Sequence, residues 1–530
     1  MSVLELYDAT LRDGMGGGGM SLTAQEKVRV AHALDELGID LVEAGFPASN
    51  PKELELFQLL SRERFAHARI VAFGMTRRRD TRADRDEGLL TLADCFAEIC
   101  TLVGKASMLH VERVLKVSPA ENLAMISESI AFLVEQGKRV LFDAEHFFDG
   151  AKLDLEYSLE CVRTASEAGA ERVVLCDTNG GSLPDDIRAG VSTARATDFL
   201  GKYGIHTHDD SGCAVANTLV AVQSGATQVQ GTINGVGERT GNANLLTLIA
   251  DLQLKMGFEL MPPERMAKLT STGHFLDELL NRTPNPAQPY VGRHAFAHKA
   301  GMHAAGARET AEAFEHIDPA LVGNHGEVLI SELSGRAAIA EKAAAAGIPT
   351  DEEFLARVLA RVKELEHRGF QFEAADGSFE LLMRREAGGD YEPLFKLDSW
   401  RVIVERDEAG RVRTEATIRI EIAGERHVRT AEGNGPVHAL DRALREAIVA
   451  IHPHLREIQL VNFKVRILDE SKGTGAVTRV LIDASDGHRE WGSIGVSENL
   501  IAASWDALVD SLEYGMLGGR VAQGAGRRDA

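Results

Sequence analysis

Gly204-Ile205-His206-Thr207-His208-Asp209-Asp210 reads as a short buried strand that ends in two histidines one residue apart. Side chains alternate across a strand, so His206 and His208 leave the same face, close enough to hold one ion between them. Taken alone, the pair is also compatible with strand-end histidines bonded to nearby backbone. Strands of this kind recur through the N-terminal half. Short apolar runs at 4–9, 41–46, 70–74, 97–103, 139–144, 172–176, 204–208 and 228–233 alternate with amphipathic stretches such as 23–37 and 155–168, several closing on glycine as Leu37-Gly38 does. Eight strand-helix units in roughly 250 residues predict a (β/α)8 TIM barrel rather than an open doubly wound sheet. No Gly-x-Gly-x-x-Gly opens the first helix, which removes support for a dinucleotide fold.

A chain of 530 residues exceeds one ordinary core. The expected division is a catalytic barrel over 1–260, a mostly helical linker region over 261–395, a duplicated α+β domain over 396–517 and a disordered Gly- and Arg-rich tail over 518–530. The duplication shows in two similar phrases, Gly433-Asn434-Gly435-Pro436 and Gly492-Ser493-Ile494-Gly495, each read as leading into a helix. Such a module points to ligand sensing or dimerisation. The composition is 44% hydrophobic and 26% charged, without an apolar stretch of about 18 residues or a basic leader, so a cytoplasmic protein with no membrane partner is expected. A net charge of −22 argues against nucleic acid. The five cysteines are odd in number and scattered, which suits reduced thiols.

Active sites of such barrels lie where strands end. Past the first run stands Thr10-Leu11-Arg12-Asp13-Gly14, near the second Glu43, past the fifth Glu145-His146, past the sixth Asp177-Thr178-Asn179, and past the eighth the stretch from Asn234 to Asn244. One such group alone is an ordinary helix cap or turn; together they form a polar rim. Asp13, His206 and His208 would give one carboxylate oxygen and two imidazole nitrogens, a facial set with open positions that suits catalytic Zn, Mn or Co. Such an ion can chelate a 2-oxo acid and polarise its ketone. Arg12 is placed to stabilise the resulting alkoxide, Glu145 to order or deprotonate a reacting group, and Thr178 to bond the acceptor carboxylate.

With these motifs, Asn234-Gly-Val-Gly-Glu-Arg-Thr-Gly-Asn242 and His298-Lys-Ala-Gly-Met-His303, the chain resembles the 2-isopropylmalate, homocitrate and citramalate synthase family. Asp143-Ala-Glu-His-Phe-Phe-Asp-Gly150, Glu315-His-Ile-Asp-Pro and Val328-Leu-Ile-Ser-Glu-Leu-Ser-Gly335 resemble its citramalate branch. The resemblance implies a Claisen condensation of acetyl-CoA with a 2-oxo acid, pyruvate foremost, on a divalent ion (Zn, Mn, Mg or Co). It implies Asp13, His206, His208 and Asn242 around the ion, Arg12, Glu145 and His303 in catalysis, and Thr178, Asp143, Ser107, Met108, Glu238 and Gly241 toward substrate. It further implies a homodimer, with His303 reaching the partner's barrel, and an isoleucine or leucine effector on the C-terminal domain. A larger 2-oxo acid is the alternative acceptor. A metal-dependent 3-hydroxyacyl-CoA lyase is a weaker alternative, since such lyases carry a cysteine after strand eight and 235–244 has none. The chain departs from the family pattern at Gly16 and Gly18, where Gln and Glu are usual, at Phe314, where a tyrosine is usual, and at Ser107-Met108, where the branch has an aromatic and an acidic residue.

Overall fold

The computed structural model describes residues 4–197, 201–298, 314–328, 336–388, 391, 393–468 and 470–525. Eight parallel strands close into a barrel: β1 (Glu5–Asp8), β2 (Leu41–Gly45), β3 (Arg69–Met75), β4 (Ile99–Lys105), β5 (Arg139–Glu145), β6 (Arg172–Asp177), β7 (Tyr203–Thr207) and β8 (Gln228–Gly231). Closure comes from β1 on β8, with Glu5 opposite Gln228 and Tyr7 opposite Gln230. The alternation of each strand sorts its residues into two cores. Tyr7, Ala9, Leu41, Val71, Ile99 and Leu141 form a small cluster inside the barrel, whereas their neighbours Leu6, Val42, Ile70, Cys100 and Val140 join the larger core with the surrounding helices.

Local chemistry starts and stops the helices between the strands. Ala24–Leu37 opens on Thr23, whose side chain accepts from the Glu26 N–H while Glu26 reaches back to Thr23, and closes on Gly38 at φ 100°. Leu155–Glu167 opens on Asp154, whose side chain accepts from the Tyr157 N–H. The stretch 261–280, which reads as one helix in sequence, is two, Pro263–Met266 and Leu269–Leu279. The close approach of Gly323, whose added Cβ would lie 2.0 Å from the Ala267 carbonyl oxygen, falls at this break.

Among the described residues the chain divides into two compact units, one holding 4–296 with 317–326 and the other the remainder. The second contains helices Arg336–Ala345, Glu352–His367 and Asp376–Ala387, followed by two βββα repeats. Lys396–Arg406, Val412–Ile422 and Glu425–Gly433 precede helix Pro436–Ile448; Gln459–Ile467, Thr478–Ser485 and Glu490–Ser497 precede helix Leu500–Ala525. The phrase Gly492–Gly495 therefore lies within a strand rather than before a helix. Its glycines serve close packing: a Cβ on Gly495 would sit 1.9 Å from the Ala503 carbonyl oxygen and one on Gly492 2.1 Å from that of Ala374. No described helix is long and apolar enough to cross a membrane, and all five cysteines are free.

Candidate active site

The segment after β1 turns at once. Thr10 folds back so that its N–H and hydroxyl both donate to Asp8 (2.9 and 2.7 Å), while the Ile233 N–H after β8 donates to the Thr10 hydroxyl at 2.9 Å. A 3-10 turn over Gly14–Gly16 follows, and Asp13 is left facing the two histidines of β7. Asp13 Oδ2 lies 3.3 Å from His206 Nε2 and 3.4 Å from His208 Nε2, and the two Nε2 atoms are 3.2 Å apart. An ion bonded to each donor at about 2.1 Å would require donor separations of about 3.0–3.4 Å. The triangle has that size, both imidazoles are buried, and these three form the one His/Cys/Asp/Glu cluster of metal-binding dimensions among the described residues. Burial alone would raise the Asp13 carboxyl, but Arg12 and the two imidazoles hold it well below the usual carboxylate range.

Asn242 joins this group through the backbone, bridging to His208 across an isolated β-bridge. Its Nδ2 donates to the Val236 carbonyl at 3.2 Å, and its Oδ1 is buried without a partner among the described residues, which makes it available to an ion. The loop that delivers it needs glycine at 241, where φ is +100° and a Cβ would meet the Gly235 carbonyl at 1.9 Å.

Behind the triad the barrel is polar. His206 Nδ1–H donates to Gln230 Oε1 at 3.0 Å, which leaves Nε2 bare toward Asp13 and His208. The Gln230 amide reaches Asp143 and Gln228 Oε1, each at 3.4 Å, Gln228 donates to Glu5 at 2.7 Å, and Glu5 pairs with Arg172 at 3.2 Å. Removing the Gln230 acceptor should free the imidazole tautomer, so Gln230→Leu is expected to weaken metal binding about 10–100-fold. Gln230→Glu, which keeps an acceptor, should retain most of it; metal titration of both variants checks this.

Arg12 is fixed from three sides. Its Nε donates to Glu43 Oε2 at 2.6 Å, one terminal nitrogen lies 3.6 Å from Asp13 Oδ1, and its guanidinium stacks 4.0 Å over Phe73. Glu43 is buried and also accepts from the Tyr7 hydroxyl at 2.6 Å. Burial opposes charge on Arg12, and Glu43 with Asp13 more than restores it. Burial, then the Glu43 carboxylate, push Asp143 up to about 8. Asp143 thus takes up a proton on folding between about pH 4 and about pH 8, and the protein loses stability as pH rises through that window, by at most about 1.4 kcal/mol per pH unit. Asp143→Asn should remove this slope. In chelated protein its urea midpoint should exceed the wild-type value increasingly from pH 5 toward 8, and parallel curves would contradict the assignment.

Other expected positions fall nearby or elsewhere. Glu145, at the end of β5, is ion-paired with Lys105 at the end of β4. His146 follows at φ 60°, its N–H donating to the Thr178 hydroxyl at 2.9 Å and its ring stacked 3.7 Å from that of His110. The Thr178 hydroxyl therefore keeps its own hydrogen to donate. Arg239 closes over this edge with two 2.8 Å bonds to Asp210 and a third to the Thr178 carbonyl. Glu238 is exposed, and a side chain at Gly16 would meet its Cγ at 2.8 Å, while Gly18 faces open space. Ser107 is fully buried, its Cα against Gly150 and its hydroxyl without a partner among the described residues, and Met108 packs partly into the large core. His303 lies outside the described residues; Phe314 is exposed. Sequence reading did not single out Gln230, Tyr7 or Lys105. The pattern Gln228-Val229-Gln230, polar at every second position inside a strand, was the available signal.

Family models agree with this division of labour along the chain. One described as HMGL-like matches residues 3–274, the homocitrate synthase post-HMGL domain-like model matches 290–369, and the LeuA allosteric (dimerisation) domain matches 373–516. The chain is 49% identical over 520 residues to the (R)-citramalate synthase of Streptomyces coelicolor, covering 98% of this chain and 97% of that one. It is 45% identical to the (R)-citramalate synthases of Synechocystis (97% and 96% covered) and Geobacter sulfurreducens (97% and 98% covered). With a closed barrel carrying the Asp-His-His triangle at its mouth and full-length likeness at this level, the chain belongs to the 2-isopropylmalate, homocitrate and citramalate synthase family, in its citramalate synthase branch.

Proposed function

We propose that this protein condenses acetyl-CoA with pyruvate and water to give citramalate and free CoA. The observation that carries the reading is the Asp13-His206-His208 triangle with Arg12 fixed beside it, in a chain 45–49% identical over nearly its whole length to proteins of that name. Asp13, His206 and His208 would hold a divalent ion, with Asn242 tied to His208 through the backbone, and the ion would supply Lewis-acid polarisation of the 2-oxo group. The chain's own residues do the rest. The Thr178 hydroxyl donates to the acceptor carboxylate. Glu145, oriented by Lys105, takes the proton from the acetyl methyl group, whose carbon then bonds to the ketone carbon. Arg12 donates to the oxygen that becomes anionic in that step. Protonation of this oxygen and hydrolysis of the thioester release CoA as the thiol. Thiol release from acetyl-CoA against pyruvate, 2-oxobutyrate and 2-oxoisovalerate tests the reading; pyruvate should give the highest kcat/KM, and a preference for 2-oxoisovalerate would favour the larger-acceptor alternative.

The C-terminal repeats are read as a dimerisation and effector module that responds to isoleucine or leucine. In each sheet the outer first strand continues the helix-facing apolar row past the core and leaves it exposed: Val404, opposite Thr414, in the first, and Phe463, Val465 and Ile467, opposite Ile482, Val480 and Thr478, in the second. A contiguous exposed apolar row such as Phe463, Val465 and Ile467 marks an interface. Phe463→Asp should therefore yield monomers by light scattering while leaving the folded content of the chain unchanged, and a persisting dimer would place the interface elsewhere.

A further inference from the structure

A cavity of about 1000 Å³ opens in the first unit between the segments that follow β2, β3 and β4. Its apolar wall includes Phe46, Met75, Leu115 and Val117. Its wall is linked to the metal centre by a stack of side chains, since Phe46 meets Phe73 edge-on at 5.8 Å and the Arg12 guanidinium lies 4.0 Å over Phe73. Three consecutive arginines line the same cavity, and they are not equivalent. Arg77 is committed to the fold: its Nε donates to Glu128 at 2.6 Å, a terminal nitrogen to Glu121 at 2.7 Å, and its N–H to Ser129 at 2.8 Å. The Arg78 N–H is likewise tied, to Asp86 at 2.9 Å. With the turn anchored on both sides, the Arg78 and Arg79 side chains are exposed, and among the described residues neither has an ion-pair partner.

Acidic groups on the same wall do not cancel them. The Asp86 carboxylate is taken up by the N–H groups of Arg78, Gly88 and Leu89, which leaves Glu87 as the exposed acid there. In a chain of net charge −22, two free guanidiniums on a fixed turn beside a nucleotide-sized cavity are a local reversal of sign. Arginine presents paired donors that match phosphate oxygens, and a cavity of this volume suits a ligand of several hundred daltons. We propose that Arg78 and Arg79 bind the phosphates of the acyl-CoA and that the apolar wall carries its non-reacting body, so that the thioester is delivered toward Arg12 and the metal centre. This rests on the synthase reading above for the identity of the ligand.

The test uses the full-length enzyme with metal. Arg78→Ala/Arg79→Ala should raise the KM for acetyl-CoA about tenfold or more, while kcat, the KM for pyruvate and the melting temperature stay within experimental error. S-Acetylpantetheine, which lacks the nucleotide and its phosphates, should be used equally by both proteins. Arg78→Lys/Arg79→Lys should recover part of the loss. An unchanged acetyl-CoA KM, or an equal loss with S-acetylpantetheine, would overturn the assignment while leaving the synthase reading intact. Calorimetric titration with adenosine 3′,5′-bisphosphate gives a readout independent of turnover: binding to the wild type that weakens tenfold or more in the double alanine variant supports the site, and equal binding or none refutes it, even if pyruvate proves not to be the acceptor.

Discussion

His206→Ala should lose bound metal and CoA release together, with kcat falling on the order of a thousandfold or more while the barrel stays folded. The size follows from the several kcal/mol of transition-state stabilisation that a bound ion supplies, each 1.4 kcal/mol being about tenfold in rate. Only three strong ligand groups meet here, and the triangle they form has no spare side chain of the same kind among the described residues. Chelation of the wild-type enzyme should reproduce the loss and added divalent metal should reverse it. Elemental analysis of the purified variant beside its turnover checks both halves, and full activity in metal-free protein would remove the triad from the chemistry.

Arg12→Ala should be nearly as severe for a different reason. Losing one donor to a developing oxyanion costs about 10²–10³ in kcat, and the same change leaves the buried Glu43 with the Tyr7 hydroxyl as its remaining hydrogen-bond donor among the described residues. An uncompensated buried carboxylate costs about 3–5 kcal/mol, so stability should drop with activity. The two effects separate in Arg12→Met/Glu43→Gln, where the ion pair is replaced by neutral groups of similar volume. That variant should regain most of the lost stability and none of the lost rate, as read by thermal melts and steady-state kinetics. Arg12→Lys, unable to reproduce both the Glu43 bond and the Phe73 stack, should remain well below wild type.

How much of this was legible beforehand follows from the physics of each element. Most barrel strands are apolar runs with polar residues at or just past the C-terminal end, and that contrast survives in sequence because one face of every strand must pack under helices. His206 and His208 declared themselves by spacing, and Asp13 by its place after the first strand. Gln230 did not, because a glutamine in a strand looks like a solvent-facing residue until closure of β1 on β8 puts it inside. The glycines of Gly492–Gly495 looked like punctuation and proved to be points of close backbone approach, a distinction that depends on contacts far apart in the chain. Ser107 shows the same limit. Its neighbour in space is Gly150, more than forty residues on, a contact that sequence spacing does not announce.

The reaction itself is tested most directly by following pyruvate and acetyl-CoA, isotopically labelled at the methyl carbon, with the metal-loaded enzyme by carbon NMR. The label should move into the methylene of citramalate, one equivalent of thiol appearing for each product formed, and the signal should vanish with chelation and in His206→Ala. Label that remains in acetyl-CoA with pyruvate present, or that enters product equally well in His206→Ala, would contradict a condensation carried out at the Asp13-His206-His208 centre.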